Sequence, residues 1–209
     1  MSTTAEADAV NVASLPTPYY QDDAVTIYHG DCREILPQLG RFDLLLTDPP
    51  YPDWMADEYR YDGDLIRQVL EGGPFICFWT AKQEFLTKHD RTHIWDKKTG
   101  AGSEYERIYE HGCGDNNWKV YRYYLVNSTV AASYTGDVFN EHKSQKPVRL
   151  MRQLVIRGTQ EGQTILDPFA GSCTTGVAAK LEGRKATLIE LEERYCEIGA
   201  NRLSQGVLF

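Results

Sequence analysis

The chain has 209 residues, with 22 Lys+Arg against 30 Asp+Glu and a formal net charge of −8. This length fits one domain, or one domain with a small insert, and 42% hydrophobic with 11% aromatic residues excludes a disordered chain. The acid excess weighs against a nucleic-acid partner, because phosphate contacts draw on Lys and Arg. The five Cys (Cys32, Cys77, Cys113, Cys173, Cys196) are scattered without a CxxC pair, which reads as reduced thiols in a cytoplasmic protein, not a disulfide framework or a zinc site. No apolar run approaches the roughly 20 residues that span a membrane, so no membrane partner is expected.

Residues 1–18 lack the basic and apolar regions of a signal peptide. Residues 1–20 are expected as a flexible tail and 21–209 as a single domain. Four short apolar runs then predict strands: Val25–Tyr28, Phe42–Thr47, Phe75–Trp79 and Thr164–Leu166, with a fifth at Ala186–Glu190. Phe42–Thr47 is apolar through its middle, as a central parallel strand covered on both faces should be. Helical patterns lie between: Cys32–Leu39, interrupted by Pro37; Leu65–Leu70; Val148–Ile156, which starts just after Pro147; Thr175–Leu181, ending at Gly183; and Arg194–Leu203. Strands alternating with helices argue an α/β doubly wound sheet. About residues 85–140 break the rhythm. Tyr, His, Gly and Asn accumulate there, and antiparallel strands are expected near His93–Asp96, Arg107–Glu110 and Lys119–Val126.

The sharpest chemical signal is Asp48-Pro49-Pro50-Tyr51, directly after the strand FDLLLT. Ligands of open α/β sheets bind outside the carboxyl ends of strands. Two consecutive prolines stiffen the backbone, so this turn can present a carboxylate and a backbone carbonyl to one amino group. Tyr51 adds a flat face for a planar base. A plain strand-ending turn with a capping Asp is the structural alternative. The second signal runs Asp167-Pro168-Phe169-Ala170-Gly171-Ser172-Cys173-Thr174-Thr175-Gly176, after a short strand and opening a helix. Gly171 permits close approach, and a helix N-terminus offers N–H groups to a carboxylate. The Gly-Lys-Ser/Thr of a phosphate loop is missing, and so is GxGxxG. Glu190, about twenty residues on, ends the next strand and suits a ribose diol. Lys146, within His142-Lys143-Ser144-Gln145-Lys146-Pro147, precedes a helix and could hold a ligand carboxylate; an exposed basic loop is the alternative.

Together these motifs resemble the S-adenosylmethionine-dependent amino-methyltransferases of nucleic acids, and more narrowly the permuted β class of DNA adenine-N6/cytosine-N4 methyltransferases. In that class DPPY comes early, a motif like HPTQKP follows, and DPFxGSGTT comes late. Here the order is DPPY at 48–51, HKSQKP at 142–147 and DPFAGSCTT at 167–175. Gly30-Asp31-Cys32, Ile94-Trp95-Asp96-Lys97-Lys98, and Glu190 followed by Tyr195 and Arg202 match as well, so the resemblance covers about residues 22–205.

The resemblance implies a Rossmann-like methyltransferase sheet with circularly permuted motif order and a small β-rich insert, about 85–141, as the target-recognition region. It implies DNA as partner and S-adenosylmethionine as cofactor, with no metal. It implies that a flipped base, adenine N6 before cytosine N4 because Asp heads the tetrapeptide, meets Asp48, Pro49, Pro50 and Tyr51. Asp167, Phe169, Ala170, Gly171, Ser172, Cys173, Thr174 and Thr175 would surround the methionine end of the cofactor, with Lys146 at its carboxylate. Glu190 would take the ribose, and Asp31 and Cys32 would lie near the adenine. Cys173 stands where the family carries its second glycine, which puts a sulfur close to the expected methionine part. Lys143 and Ser144 also depart from the family's Pro and Thr. Trp54, Lys97, Lys98, Lys119, Arg122 and Lys143 are the candidate nucleic-acid contacts. So small an insert implies a short or relaxed target, or a homodimer that shares the reading, and hence a stand-alone, phage-type enzyme. The rivals are a cytosine-N4 or RNA methyltransferase and, from another class, a cofactor-binding module without turnover.

Overall fold

The computed structural model describes residues 14–52, 61–97, 105–115, 117–123 and 145–205. Among these residues the strands are β1 (Tyr20–Gln21), β2 (Val25–His29), β3 (Leu44–Thr47), β4 (Phe75–Thr80), β5 (Arg91–Asp96), β6 (Tyr105–His111), β7 (Val120–Arg122), β8 (Thr164–Asp167) and β9 (Lys185–Glu190). The α-helices are α1 (Cys32–Ile35, continued by a 3-10 turn at Leu36–Gln38), α2 (Gly63–Leu70), α3 (Val148–Gly158), α4 (Thr174–Leu181) and α5 (Glu193–Ser204). The helix over 32–39 is shorter than its apolar pattern predicts. Pro37 lies in the first turn of the 3-10 segment, where it has no amide hydrogen to continue the α-helical ladder.

The strands form one sheet in the order β1-β2-β9-β8-β3-β4-β6-β5-β7. The run from β2 to β4 is parallel throughout. β3 and β4 are buried at every residue, as their unbroken apolar stretches require of central parallel strands. α3, α4 and α5 cover one face, where Leu150, Leu154, Val155, Val177 and Leu203 join the larger core. α1 and α2 contribute Ile35, Ile66 and Leu70 to the other side. Among the described residues no helix is long and apolar enough to cross a membrane.

Two boundaries differ from the sequence expectation. The expected tail ends earlier, because Tyr20 pairs with Ile27 as β1 and the Tyr19 N–H donates to the Ile27 carbonyl. The expected insert is, over β5 and β6, part of the main sheet. β6 runs antiparallel to β4 over six residues, from Phe75↔His111 to Thr80↔Glu106, and β5 pairs with β6. Both strands bury side chains on the core, with Trp95 and Ile108 fully buried. The strand expected at Lys119–Val126 is present at Val120–Arg122, and residues 124–144 lie outside the described residues.

Candidate active site

The topology places the site. From β8 the chain crosses to β9 on one side; from β3 it crosses to β4 on the other. The neighbouring strands β8 and β3 therefore flank the switch point, where the loops beyond their carboxyl ends part and leave a crevice. Asp48–Tyr51 follows β3 and Asp167–Thr175 follows β8, so motifs far apart in sequence meet in space. A buried staple joins the strand ends: the Thr47 hydroxyl donates to Asp167 Oδ1 at 2.8 Å.

Asp167 organises the cofactor-motif loop. It also accepts from Thr175 Oγ1 at 2.5 Å and from the Phe169 N–H at 3.2 Å. Burial pushes its carboxyl up to about 6, against the pull of these donors. Gly171 has φ +49, and its N–H donates to Glu190 Oε2 at 2.6 Å. Glu190 Oε1 accepts from the Glu192 N–H at 2.8 Å. Burial raises this carboxyl to about 7. The Gly30 N–H donates to the Glu190 carbonyl at 2.9 Å, which ties the end of β2 to the end of β9. Asp31 caps α1 by accepting from the Arg33 N–H at 2.9 Å and pairs with the Arg33 guanidinium.

On the other side of the crevice, Tyr51 donates its hydroxyl to Asp48 Oδ1, and Lys146 donates to Asp48 Oδ2. The Tyr51 ring meets Trp79 edge-on, with centroids 5.4 Å apart. Lys146 is brought here by residues 145–147, just before α3. Burial works against its charge, but the carboxylates of Asp48 and Glu106 outweigh it and raise the ammonium above its ordinary value. Lys146, expected at a ligand carboxylate, is thus engaged with Asp48 instead. Two anions already balance its one charge.

One crevice is lined by Asp31, Cys32, Asp48, Pro49, Pro50, Tyr51, Lys146, Asp167, Phe169, Ala170, Gly171, Ser172, Thr174, Thr175 and Glu190. Of the cofactor residues expected from sequence, Cys173 alone is not in this lining. It is fully buried, and its sulfur turns away into the core against α5. A Cβ built on Gly199 would lie 2.3 Å from that sulfur. Cys173 adopts φ +60, a left-handed conformation that favours the glycine usual at this place. Arg202 of α5 supports the strained turn, donating to the Ser172 carbonyl at 2.5 Å and to Thr174 Oγ1 at 3.1 Å. The hydroxyls of Thr174 and Thr175 thus serve the loop.

Among the expected nucleic-acid contacts, Trp54, Lys98 and Lys143 lie outside the described residues. Lys97 holds Glu106 at 2.6 Å and is engaged inside the protein. Lys119 is exposed, and Arg122 keeps 65% of its side chain exposed beside Asp96 at 3.6 Å. Sequence reasoning missed Glu106, Asp62, Leu65 and Met151. Asp62 immediately precedes α2 and accepts from the Leu65 N–H at 3.0 Å, and an Asp before an apolar helical pattern was a readable N-cap signal. Nothing local marks Glu106, whose role depends on β6 pairing with β4.

A buried carboxylate beside a glycine turn, joined across a switch point to an Asp-Pro-Pro-Tyr carboxylate in one crevice, is the arrangement of a ligand-binding α/β enzyme. The chain belongs to the N6_N4_Mtase family of DNA methylases, which it matches over residues 75–201. It is 46% identical to the Type II methyltransferase M2.DpnII of Streptococcus pneumoniae, over 90% of this chain and 93% of that one. It is 32% identical to M2.LlaDCHI of Lactococcus lactis subsp. cremoris, over 93% and 95%. The crystal structure of an M1.HpyAVI-SAM complex shares the fold, with TM-score 0.59 and 22% identity over 86% of this chain and 98% of that one. The reaction class is methyl transfer from S-adenosylmethionine to an exocyclic amino group of a base in DNA.

Proposed function

We propose that the chain methylates N6 of adenine, taken out of the DNA stack. The observation that carries this reading is that Asp48 and Pro49 line the same crevice as the cofactor-motif loop, across the switch point. The donor set suits the cofactor. Glu190 is a buried acceptor for ribose hydroxyls, the amides opening α4 suit a carboxylate, and Asp31 and Cys32 close the adenine end. When bound, the cofactor supplies an electrophilic methyl on a sulfonium.

The protein residues position the reactants. Asp48 accepts one amino hydrogen and the Pro49 carbonyl the other, which localises the nitrogen lone pair towards the methyl. Transfer would break the bond between the methyl and the sulfonium sulfur as the N–C bond forms, leaving a neutral thioether, and the nitrogen, cationic at that point, would give its proton to Asp48 and from there to solvent. Tyr51 holds Asp48 through its hydroxyl and offers its ring to the base. Lys119 and Arg122 take phosphate. Target reading falls to residues after β6, in a region short enough for a short or relaxed site; a stand-alone enzyme fits this, and a homodimer sharing the reading is the alternative, settled by the molar mass of the DNA complex. Five free cysteines fit a reducing cytoplasm.

The test is incubation with S-adenosylmethionine and unmethylated DNA, or RNA, followed by nucleoside mass spectrometry. N6-methyladenosine in its deoxy form is expected. N4-methylcytosine, or product only in RNA, would replace this reading with a rival.

A further inference from the structure

Glu106 has no part in the reading above, yet it is a carboxylate only 6% exposed. It sits on β6 opposite Thr80 of β4 and Trp95 of β5, at the end of the sheet where β3 delivers Asp48. A carboxylate is costly to bury unless cations pair with it. Glu106 has two. Lys97 Nζ meets Oε1 at 2.6 Å, and Lys146 Nζ lies 3.5 Å from Oε2. That Oε2 is buried without a hydrogen-bond partner among the described residues. Lys146 Nζ also lies 5.0 Å from the centroid of Phe78 and 5.7 Å from that of Trp95, within cation–π range. The ammonium is therefore held between two rings and two carboxylates.

Both oxygens of Asp48 already accept hydrogen bonds, one from Tyr51 and one from Lys146. A neutral amino group is a weaker donor than an ammonium, so Lys146 held by Asp48 alone would compete with the substrate. We propose that Glu106 is a positioning residue for methyl transfer: its Oε2, already 3.5 Å from the Lys146 ammonium, is a second seat for that cation, which lets Asp48 Oδ2 accept the target amino group while Lys146 stays charged. The proposal rests on the Asp48 reading given above.

Among the described residues, the groups facing Lys146 include the carboxylates of Asp48 and Glu106, the rings of Phe78 and Trp95, and the nearby Cys77 thiol, with Tyr51 and Asp167 acting on Asp48 and Lys97 lying beyond Glu106. Burial pulls the ammonium down and the two anions push it up. Losing one anion leaves burial less opposed, and buried lysines can fall by several units.

The test compares Glu106→Gln, Glu106→Asp and Asp48→Asn in steady-state methylation, with cofactor affinity from calorimetry. Glu106→Gln is expected to lower kcat by about tenfold or more at cofactor affinity within about threefold of native. Its kcat should fall as pH rises at a lower pH than in the native enzyme, because burial of the ammonium is then opposed by one anion fewer. Glu106→Asp keeps the charge and should recover part of both effects. Native kcat with a flat profile in Glu106→Gln overturns the proposal. So do equal losses in both Glu106 variants without a shifted profile, because that pattern marks a purely structural residue. If Glu106→Gln does not fold, Glu106→Asp decides alone: a severalfold lower kcat at unchanged cofactor affinity supports the second seat, and native kcat overturns it. An inactive Asp48→Asn beside a native-like Glu106→Gln overturns the Glu106 proposal only, whereas a native-like Asp48→Asn overturns both readings.

Discussion

Glu190 shows how burial tunes a binding residue. Its carboxyl, ordinarily near 4.5, stands at about 7 in the folded protein because it is buried. A raised carboxyl contributes stability that is present below its unfolded value and is lost as pH rises through its folded value. Glu190 thus favours the ligand-free fold below about pH 4.5 and ceases to do so through about pH 7. If Glu190 takes the ribose as proposed, cofactor binding has the opposite sign, because the hydroxyls donate to the ionised form. Cofactor affinity should therefore rise by up to about tenfold between pH 6 and 8, and Glu190→Gln should bind more weakly with a flatter pH profile, both read by calorimetry. Cys173 makes the converse point. Its sulfur occupies the space that a side chain on Gly199 would need. Gly199→Ala should cost about 1–3 kcal/mol in urea unfolding, and Cys173→Gly in the same chain should recover most of it. Additive effects would show that the two sites are not in contact.

At the scale of elements, the site exists because two strand ends meet at a switch point. Thr47→Val removes the hydroxyl that staples β3 to β8 and leaves Asp167 one donor short. A loss of about 1 kcal/mol is expected in urea unfolding, with weaker cofactor binding because Asp167 also holds the Thr175 end of the loop; native values for both would show that the staple contributes nothing. Much of this level was legible in the sequence. β3 and β4 announced themselves by unbroken apolar runs, and Asp48 and Glu190 by their place at strand ends. The direction of the Cys173 sulfur was not legible, since it follows from φ +60 and from the gap at Gly199 on a helix far along the chain. Nor was the role of Lys146, because its partners lie far off in sequence, Asp48 just past the end of β3 and Glu106 on β6. That β5 and β6 extend the main sheet was not legible, because Tyr, His, Gly and Asn accumulate around strands that still bury Trp95 and Ile108.

For the whole molecule, the net charge of −8 is a poor guide to its partner. Residues 1–72 hold 14 acidic and 4 basic side chains, so the acid lies mainly in the half that carries Asp48. The basic residues near the cofactor motif are mostly engaged internally: Arg157 with Glu110 and Asp115, Arg152 with Glu182, and Lys146 with Asp48. They secure the fold more than they offer a surface to phosphate. Lys119 and Arg122 stay exposed, which is why contact with DNA is proposed for them, and local basic groups suffice for it. The central claim is that one crevice joins a cofactor loop to a separate amino-activating carboxylate. Asp48→Ala tests it most directly, with S-adenosylmethionine binding and methyl transfer to DNA measured on the same preparation. Binding within about threefold of native together with a loss of transfer of at least about a hundredfold is predicted. Transfer that persists near the native rate, or a native protein that binds no cofactor, would contradict it.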